Sequence, residues 1–157
     1  MKLKVKFLNG SQYWKDLVNE NAEKVQIILN DPAFLDKIEA HSGFDFTNMP
    51  PRAVRDRIEN AGEVEIKVGF YKGWFWSKAI AYEENGEVWF NTRKEAYGAG
   101  SVGNLAHELM HALGFSHNGN SPSGQANTVP WRIGQWAGEW KLTQVCKYEP
   151  VKVESVT

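Results

Sequence analysis

Residues 107–117 read His-Glu-Leu-Met-His-Ala-Leu-Gly-Phe-Ser-His. No other stretch restricts the possible folds as much, because it asks one helix to meet two demands. Val102, Leu105, Ala106, Leu109, Ala112 and Leu113 recur at helical spacing and form an apolar stripe, so a helix is predicted over 102–113. Ser101 stands at the N-cap, and Gly114 stands where a left-handed residue closes a helix. His107 and His111 are four positions apart on that helix. Their rings therefore share one face, one turn apart, within reach of one metal ion. With the stripe opposite, the rings are expected to point away from the sheet-packing side, toward a cleft. Gly114 lets the chain reverse, and His117 can then swing back as a third nitrogen ligand.

Three neutral imidazoles on a tetrahedral Zn²⁺ leave a fourth position open to water, which is how a catalytic site differs from a closed structural one. Glu108 follows the first ligand. A carboxylate there can take a proton from an activated water and pass it to a leaving amine. By chance, the five specified residues at these spacings are expected on the order of 10⁻⁵ times in a chain of this size. Of the four His in the chain, only His41 lies elsewhere, and it reads as an ordinary helix-end residue. A helix with His on its solvent face, stabilised near its C-terminus, explains none of Glu108, Gly114 and His117 together.

The rest of the chain supplies a frame. Residues 2–8 and 63–69 alternate charged and apolar side chains and read as strands. Two further strands, 78–82 and 87–91, flank the Asn85-Gly86 pair favoured in tight hairpins. A long helix opens at the candidate N-cap Ser11, and a shorter one follows Pro32 and runs to about residue 40. A third helix, 52–60, follows Pro50-Pro51; its Arg52, Arg55 and Arg57 read as a solvated face rather than an anion site. Residues 94–100 and 118–128 read as loops, and a last helix is expected over 131–147, weakened by Gly134 and Gly138. The expected fold is α+β: a twisted mixed sheet of about four to five strands with an antiparallel edge strand, packed on the long helix and the His-bearing helix. One domain is expected over 1–157, with an α/β-type N-terminal subdomain of about 1–117. A small irregular C-terminal subdomain of about 118–157 would carry the last helix.

The string 107–117 resembles the long zinc signature of the metzincin metallopeptidases, H-E-x-x-H-x-x-G-x-x-H. The order strand, long helix, strand, edge strand, strand, zinc helix is similar to that of matrixin-like members over about 1–147, although the likeness is specific only over 107–117. The resemblance implies zinc on His107, His111 and His117, Glu108 as general base, and hydrolysis of peptide bonds. It implies that 78–82 is the edge strand that receives an extended peptide by β-augmentation, so Ala79, Ile80 and Ala81 become candidate substrate-binding residues. Metzincins also have a Met-turn beneath the zinc, but no Met follows Met110 here. The candidate replacement is 127–131, with Val129 as apolar floor and Trp131 near the site; a loop merely entering a helix reads as well. Trp131, Ile133 and Trp136 are candidate pocket-lining residues, with core packing the competing reading. Residues 73–76, Gly-Trp-Phe-Trp, are either a hydrophobic rim or core, and core packing is favoured.

Charge and composition remove other classes. Lys+Arg total 18 against Asp+Glu 19, so the chain lacks the basic excess of a nucleic-acid binder, and no Lys/Arg run suggests a membrane partner. Cys146 is the only thiol, so no internal disulfide is expected. Loops 92–101 and 118–128 hold one acidic residue, Glu95, so no calcium site is expected. No signal-peptide h-region and no membrane-spanning stretch are read, which leaves cytoplasmic residence or signal-independent release. Nothing before the first strand but Met1 suggests no inhibitory prosegment. The expected partner is an extended peptide or protein, bound by a monomer. Two alternatives stay open: a zinc amidase acting on a non-ribosomal, cell-wall-like amide, and a catalytically silent zinc-binding interaction module. The latter needs a fourth ligand, for which Cys146 is the available thiol.

Overall fold

Alternation of apolar and charged residues builds the sheet. In β1 (Lys2–Phe7), Leu3, Val5 and Phe7 are buried while the lysines between them face out. β2 (Glu63–Tyr71) buries Ile66, Val68 and Phe70, and β4 (Glu87–Asn91) buries Val88 and Phe90. β1 pairs parallel with β2, β2 parallel with β4, and β3 (Ala81–Glu84) antiparallel with β4. A fifth strand, β5 (Lys152–Ser155), pairs parallel with β1, so the order is β3-β4-β2-β1-β5. This computed structural model describes residues 1–118, 125–142 and the backbone of 152–155.

Five helices accompany the sheet among the described residues. α1 (Gln12–Leu29) starts at Ser11, whose hydroxyl accepts from the Trp14 amide. Its buried positions Trp14, Val18, Ala22, Val25 and Leu29 recur every three or four residues, so one face meets the core. α2 (Pro32–Glu39) is capped by Asp31, and α3 (Pro51–Glu59) opens on Pro51. The α3 arginines are not simply solvated: Arg55 pairs with Glu39 and lies 3.6 Å from Asp36 and from Glu59, fastening α3 to α2.

α4 (Val102–Ala112) carries the two first histidines and packs against α1, β2 and α5 (Val129–Glu139). The crossing of α4 and α5 is made by glycines. A Cβ at Gly134 would lie 2.8 Å from the Gly103 carbonyl oxygen and 3.0 Å from His107 Cβ; one at Gly138 would lie 3.5 Å from Gly103 Cα. The glycines expected to weaken the last helix thus permit its close approach.

The structure corrects several sequence expectations. The edge strand is 81–84 rather than 78–82, because the Ala79 carbonyl is taken by the Asn91 side chain rather than by a strand backbone. The last helix spans 129–139, opening on Pro130 in its first turn, not 131–147. Part of the 94–100 loop is 3₁₀ turn, Thr92–Tyr97, begun by the Asn91 side chain accepting from the Arg93 amide. Trp74, Phe75 and Trp76, favoured as core, lie outside it. The α4 stripe is shifted: Leu105, Ala106, Leu109 and Met110 are buried, whereas Ala112 is exposed. No helix is long and apolar enough to cross a membrane among the described residues.

Gly134→Ala tests the helix crossing. On an open helix face this change stabilises by up to about 1 kcal/mol. Here the methyl meets backbone and His107, and overpacking costs about 1–3 kcal/mol. The expected net result is a lower denaturation midpoint at unchanged m-value; a higher midpoint would show a looser crossing.

Candidate metal centre

The site is built from α4 and the turn after it. Ser101 accepts from the Asn104 amide at 3.3 Å and starts the helix. At its far end Gly114 has φ +88°, its amide donates to the His111 carbonyl, and the Phe115 amide donates to the Met110 carbonyl. A side chain at that φ would be strained, so glycine is what lets the chain reverse. Buried Phe115 anchors the turn. Arg57 of α3 holds it from outside: its guanidinium donates to the Leu113 carbonyl at 3.3 Å and lies 5.3 Å from the Phe115 ring centre. The reversal brings His117 back to the helix.

The three Nε2 atoms converge. His107 Nε2 is 3.0 Å from His117 Nε2 and 3.2 Å from His111 Nε2, and one ligand nitrogen from each ring lies within 4.8 Å of the others. The ring centres form a nearly equilateral triangle of 5.0, 5.0 and 4.8 Å sides. A tetrahedral ion with bonds of about 2.05 Å needs donors about 3.3 Å apart, so the cluster fits a zinc-sized ion. The outer ring nitrogens are directed as well. His111 Nδ1 donates to the Phe115 carbonyl at 2.8 Å, which leaves Nε2 as a lone-pair donor. His107 is hydrogen-bonded to the backbone of Pro130, whose one backbone hydrogen-bonding group is its carbonyl. Burial, then the neighbouring rings of His111 and His117, push His107 down to about 3, so it is neutral, as a ligand must be.

His107 lines a cavity between α4 and α5 but is largely shielded from solvent. It is 8% exposed because α5 covers that flank. The Trp131 ring stands 4.5 Å from His107 and 5.7 Å from His117, centre to centre. Of the candidate Met-turn segment, Val129 is a core residue, 1% exposed, and Trp131 reaches the histidines. Sequence reasoning missed Pro130 as the acceptor for His107 and Asn127 as the hub of the preceding turn. Asn127 accepts from His41 Nε2 at 2.8 Å and donates to the Gly43 carbonyl at 3.1 Å. His41, read as an ordinary helix-end residue, thereby ties that turn to 41–45. The only advance signal was an amide residue beside a predicted helix start.

Glu108 is 9% exposed. Burial, with a smaller contribution from the negative charge of Glu83 on β3, pushes it up to about 7. β3 is one of the two edge strands of the sheet, β5 being the other. Ile80 accepts from the Asn91 amide, so by the alternation of an antiparallel ladder the backbone groups of Ala81 and Glu83 turn outward. Of the candidate substrate residues, Ala81 therefore lies on the open side, while the Ala79 and Ile80 carbonyls are engaged inward. A cavity of about 680 Å³ adjoins His107 and Trp131, extending past Val102, Asn104 and Gly138 to Glu139. Ile133 is fully buried and Trp136 packs on His41 and Phe44, so neither lines it. Cys146 and most of the 118–128 loop lie outside the described residues.

Comparison of the chain with models of known protein families, with curated proteins and with solved structures finds no match.

The opposed shifts of His107 and Glu108 predict an unusual acid profile for the metal-free protein. Unfolded His107 binds a proton below about 6.5 and folded His107 only below about 3, so this residue lowers stability as pH falls through that window. Glu108 is protonated below about 7 when folded and below 4.5 when unfolded, so it raises stability as pH falls between those values. Each effect has a slope of about 1.4 kcal/mol per pH unit and they cancel where they overlap. The pair's contribution is therefore nearly flat from pH 6.5 to 4.5 and falls below 4.5. In Glu108→Gln the fall should begin near pH 6.5. Denaturant titrations of both proteins across that range check it; coincident profiles would refute the opposition.

Proposed function

We propose that the chain is a zinc-dependent endopeptidase of metzincin type, with His107, His111 and His117 as metal ligands and Glu108 as general base. The observation that carries this reading is that His107 Nε2 lies 3.0 Å and 3.2 Å from the Nε2 atoms of His117 and His111, close to the spacing of donors on a tetrahedral ion, one residue from a buried carboxyl group. The donor set supports zinc over calcium or magnesium, because neutral imidazoles suit the former and oxygen ligands the latter. Three imidazole ligands with a fourth position left to water are the arrangement of an open, catalytic centre. When bound, zinc supplies Lewis acidity toward a carbonyl group and makes a neighbouring water more acidic.

The chain's own residues do the rest. Glu108 accepts a proton from the attacking water and delivers it to the departing nitrogen. Its raised proton affinity suits a group that must take and return a proton near neutral pH. His111 and His107 are held by the Phe115 and Pro130 carbonyls, so the rings need little reorganisation. An extended peptide can pair with the outward groups of Ala81 and Glu83 along the free edge of β3. The cavity beside Trp131 is available to one of its side chains.

Elemental analysis of the purified protein should give one zinc per chain in wild type and in Glu108→Gln. Wild type should cleave members of an unbiased peptide library, while Glu108→Gln should be slower by about 10²–10⁴-fold. A chelator should abolish cleavage and zinc should restore it. Zinc without cleavage would refute the peptidase reading; failure to bind zinc would refute the site itself.

A further inference from the structure

A second feature is independent of the metal centre. β1, β2 and β4 are parallel, so their C-terminal ends share one edge of the sheet, and the segments 8–13, 72–80 and 92–98 gather there. Five of the eight large hydrophobic residues exposed among the described residues belong to that edge: Tyr13, Trp74, Phe75, Trp76 and Tyr97. The hydrogen bond from Tyr13 to Glu95 joins two of the three segments.

The middle segment protrudes furthest in chemistry. Trp74, Phe75 and Trp76 are 70%, 71% and 64% exposed. The two indoles stack at 5.0 Å and 12°, and Phe75 packs edge-on against Trp76 at 4.4 Å. The knob stands on a fixed base. Fully buried Asn91 accepts from the Gly73 amide and donates from its side chain to the Ala79 carbonyl, both at 3.1 Å, while its amide donates to Ile80. A Cβ on Gly73 would lie 2.5 Å from Asn91 Nδ2, so the clamp closes tightly. Lys72 and Lys78 bracket the aromatics, and no acidic residue occurs from Gly69 to Tyr82. The acids of the β3–β4 hairpin, Glu83, Glu84 and Glu87, begin after Tyr82 and run toward its far end, with Glu84 roughly 10 Å along the strand from Ala81. Glu95 at this edge is engaged by the Tyr13 hydroxyl.

We propose that this edge docks the protein on an anionic lipid bilayer, with Trp74, Phe75 and Trp76 entering the interface and Lys72 and Lys78 at headgroup level. Trp and Tyr favour the boundary between hydrocarbon and water, and a protruding knob suits a deformable surface better than a groove-seeking partner. The flanking lysines select a negative surface. A search for basic runs misses this pattern, because five residues, three of them aromatic, separate the two lysines. The inference holds whether or not the metal centre cleaves peptides.

Flotation of the full chain with vesicles of phosphatidylcholine, with and without phosphatidylserine, tests it. Wild type should float with the phosphatidylserine vesicles, with a blue shift of Trp fluorescence, and added salt should weaken binding. Lys72→Ala with Lys78→Ala should weaken it about thirtyfold, about fivefold per lysine. Replacing Trp74, Phe75 and Trp76 by Ser should weaken it about tenfold or more on either vesicle, with the melting temperature unchanged. If the triple variant misfolds, Phe75→Asp alone should show the same loss. Absence of wild-type flotation would overturn the proposal. So would equal flotation of the aromatic variants, retention on an insoluble glycan in place of vesicles, or a self-association that the triple variant abolishes.

Discussion

The contact between the backbones of α4 and α5 governs the site. Packed helices ordinarily stay about 8–10 Å apart because side chains fill the gap. Gly103, Gly134 and Gly138 remove that filling, so the helices meet backbone to backbone. Two consequences follow at one residue. His107 loses its solvent and is held neutral, and α5 comes near enough for the Pro130 carbonyl to accept its hydrogen bond and for Trp131 to press on its ring. A bulkier crossing would leave His107 wet, protonatable and without its orienting partner.

The third ligand depends on a different set of contacts. His117 arrives through a turn that needs left-handed Gly114, buried Phe115 and the Arg57 guanidinium. Arg57 lies 56 residues before its acceptor, Leu113, so a helix with no part in the metal cluster helps to aim a ligand. The turn before α5 is likewise secured by His41 through Asn127. The centre thus draws support from every described helix except α1 and α2, and α1 still backs α4 through the core.

Much of this was legible in the chain. The 3.6-residue stripe, Ser101 and Gly114 delimit α4, and i, i+4 spacing with a reversal is enough to converge three histidines. Alternation located β1, β2 and β4. What stayed hidden depends on partners that periodicity does not encode. The glycines of α5 look like helix defects until α4 is placed against them. The start of β3 slipped from 78 to 81 because the buried Asn91 side chain, not a strand backbone, takes the Ala79 carbonyl. Trp74, Phe75 and Trp76 have the composition of core, but their segment lies beyond the C-terminal end of β2, where it stays exposed among the described residues.

His107 and Glu108 are neighbours shifted in opposite directions by one cause. Burial disfavours charge of either sign, so the metal-free site is drawn toward a state with neutral imidazole and neutral carboxyl. Under the proposed function, a divalent cation held by the three histidines would reverse the preference at Glu108. The three imidazoles bring no charge to offset it, and the carboxyl of Glu108 is the buried acid nearest along the helix. Such a cation would favour the ionised form of that acid, so that ion uptake and proton loss would be one linked equilibrium. The burial that makes the site costly to charge is what would couple the proposed base to a metal ion.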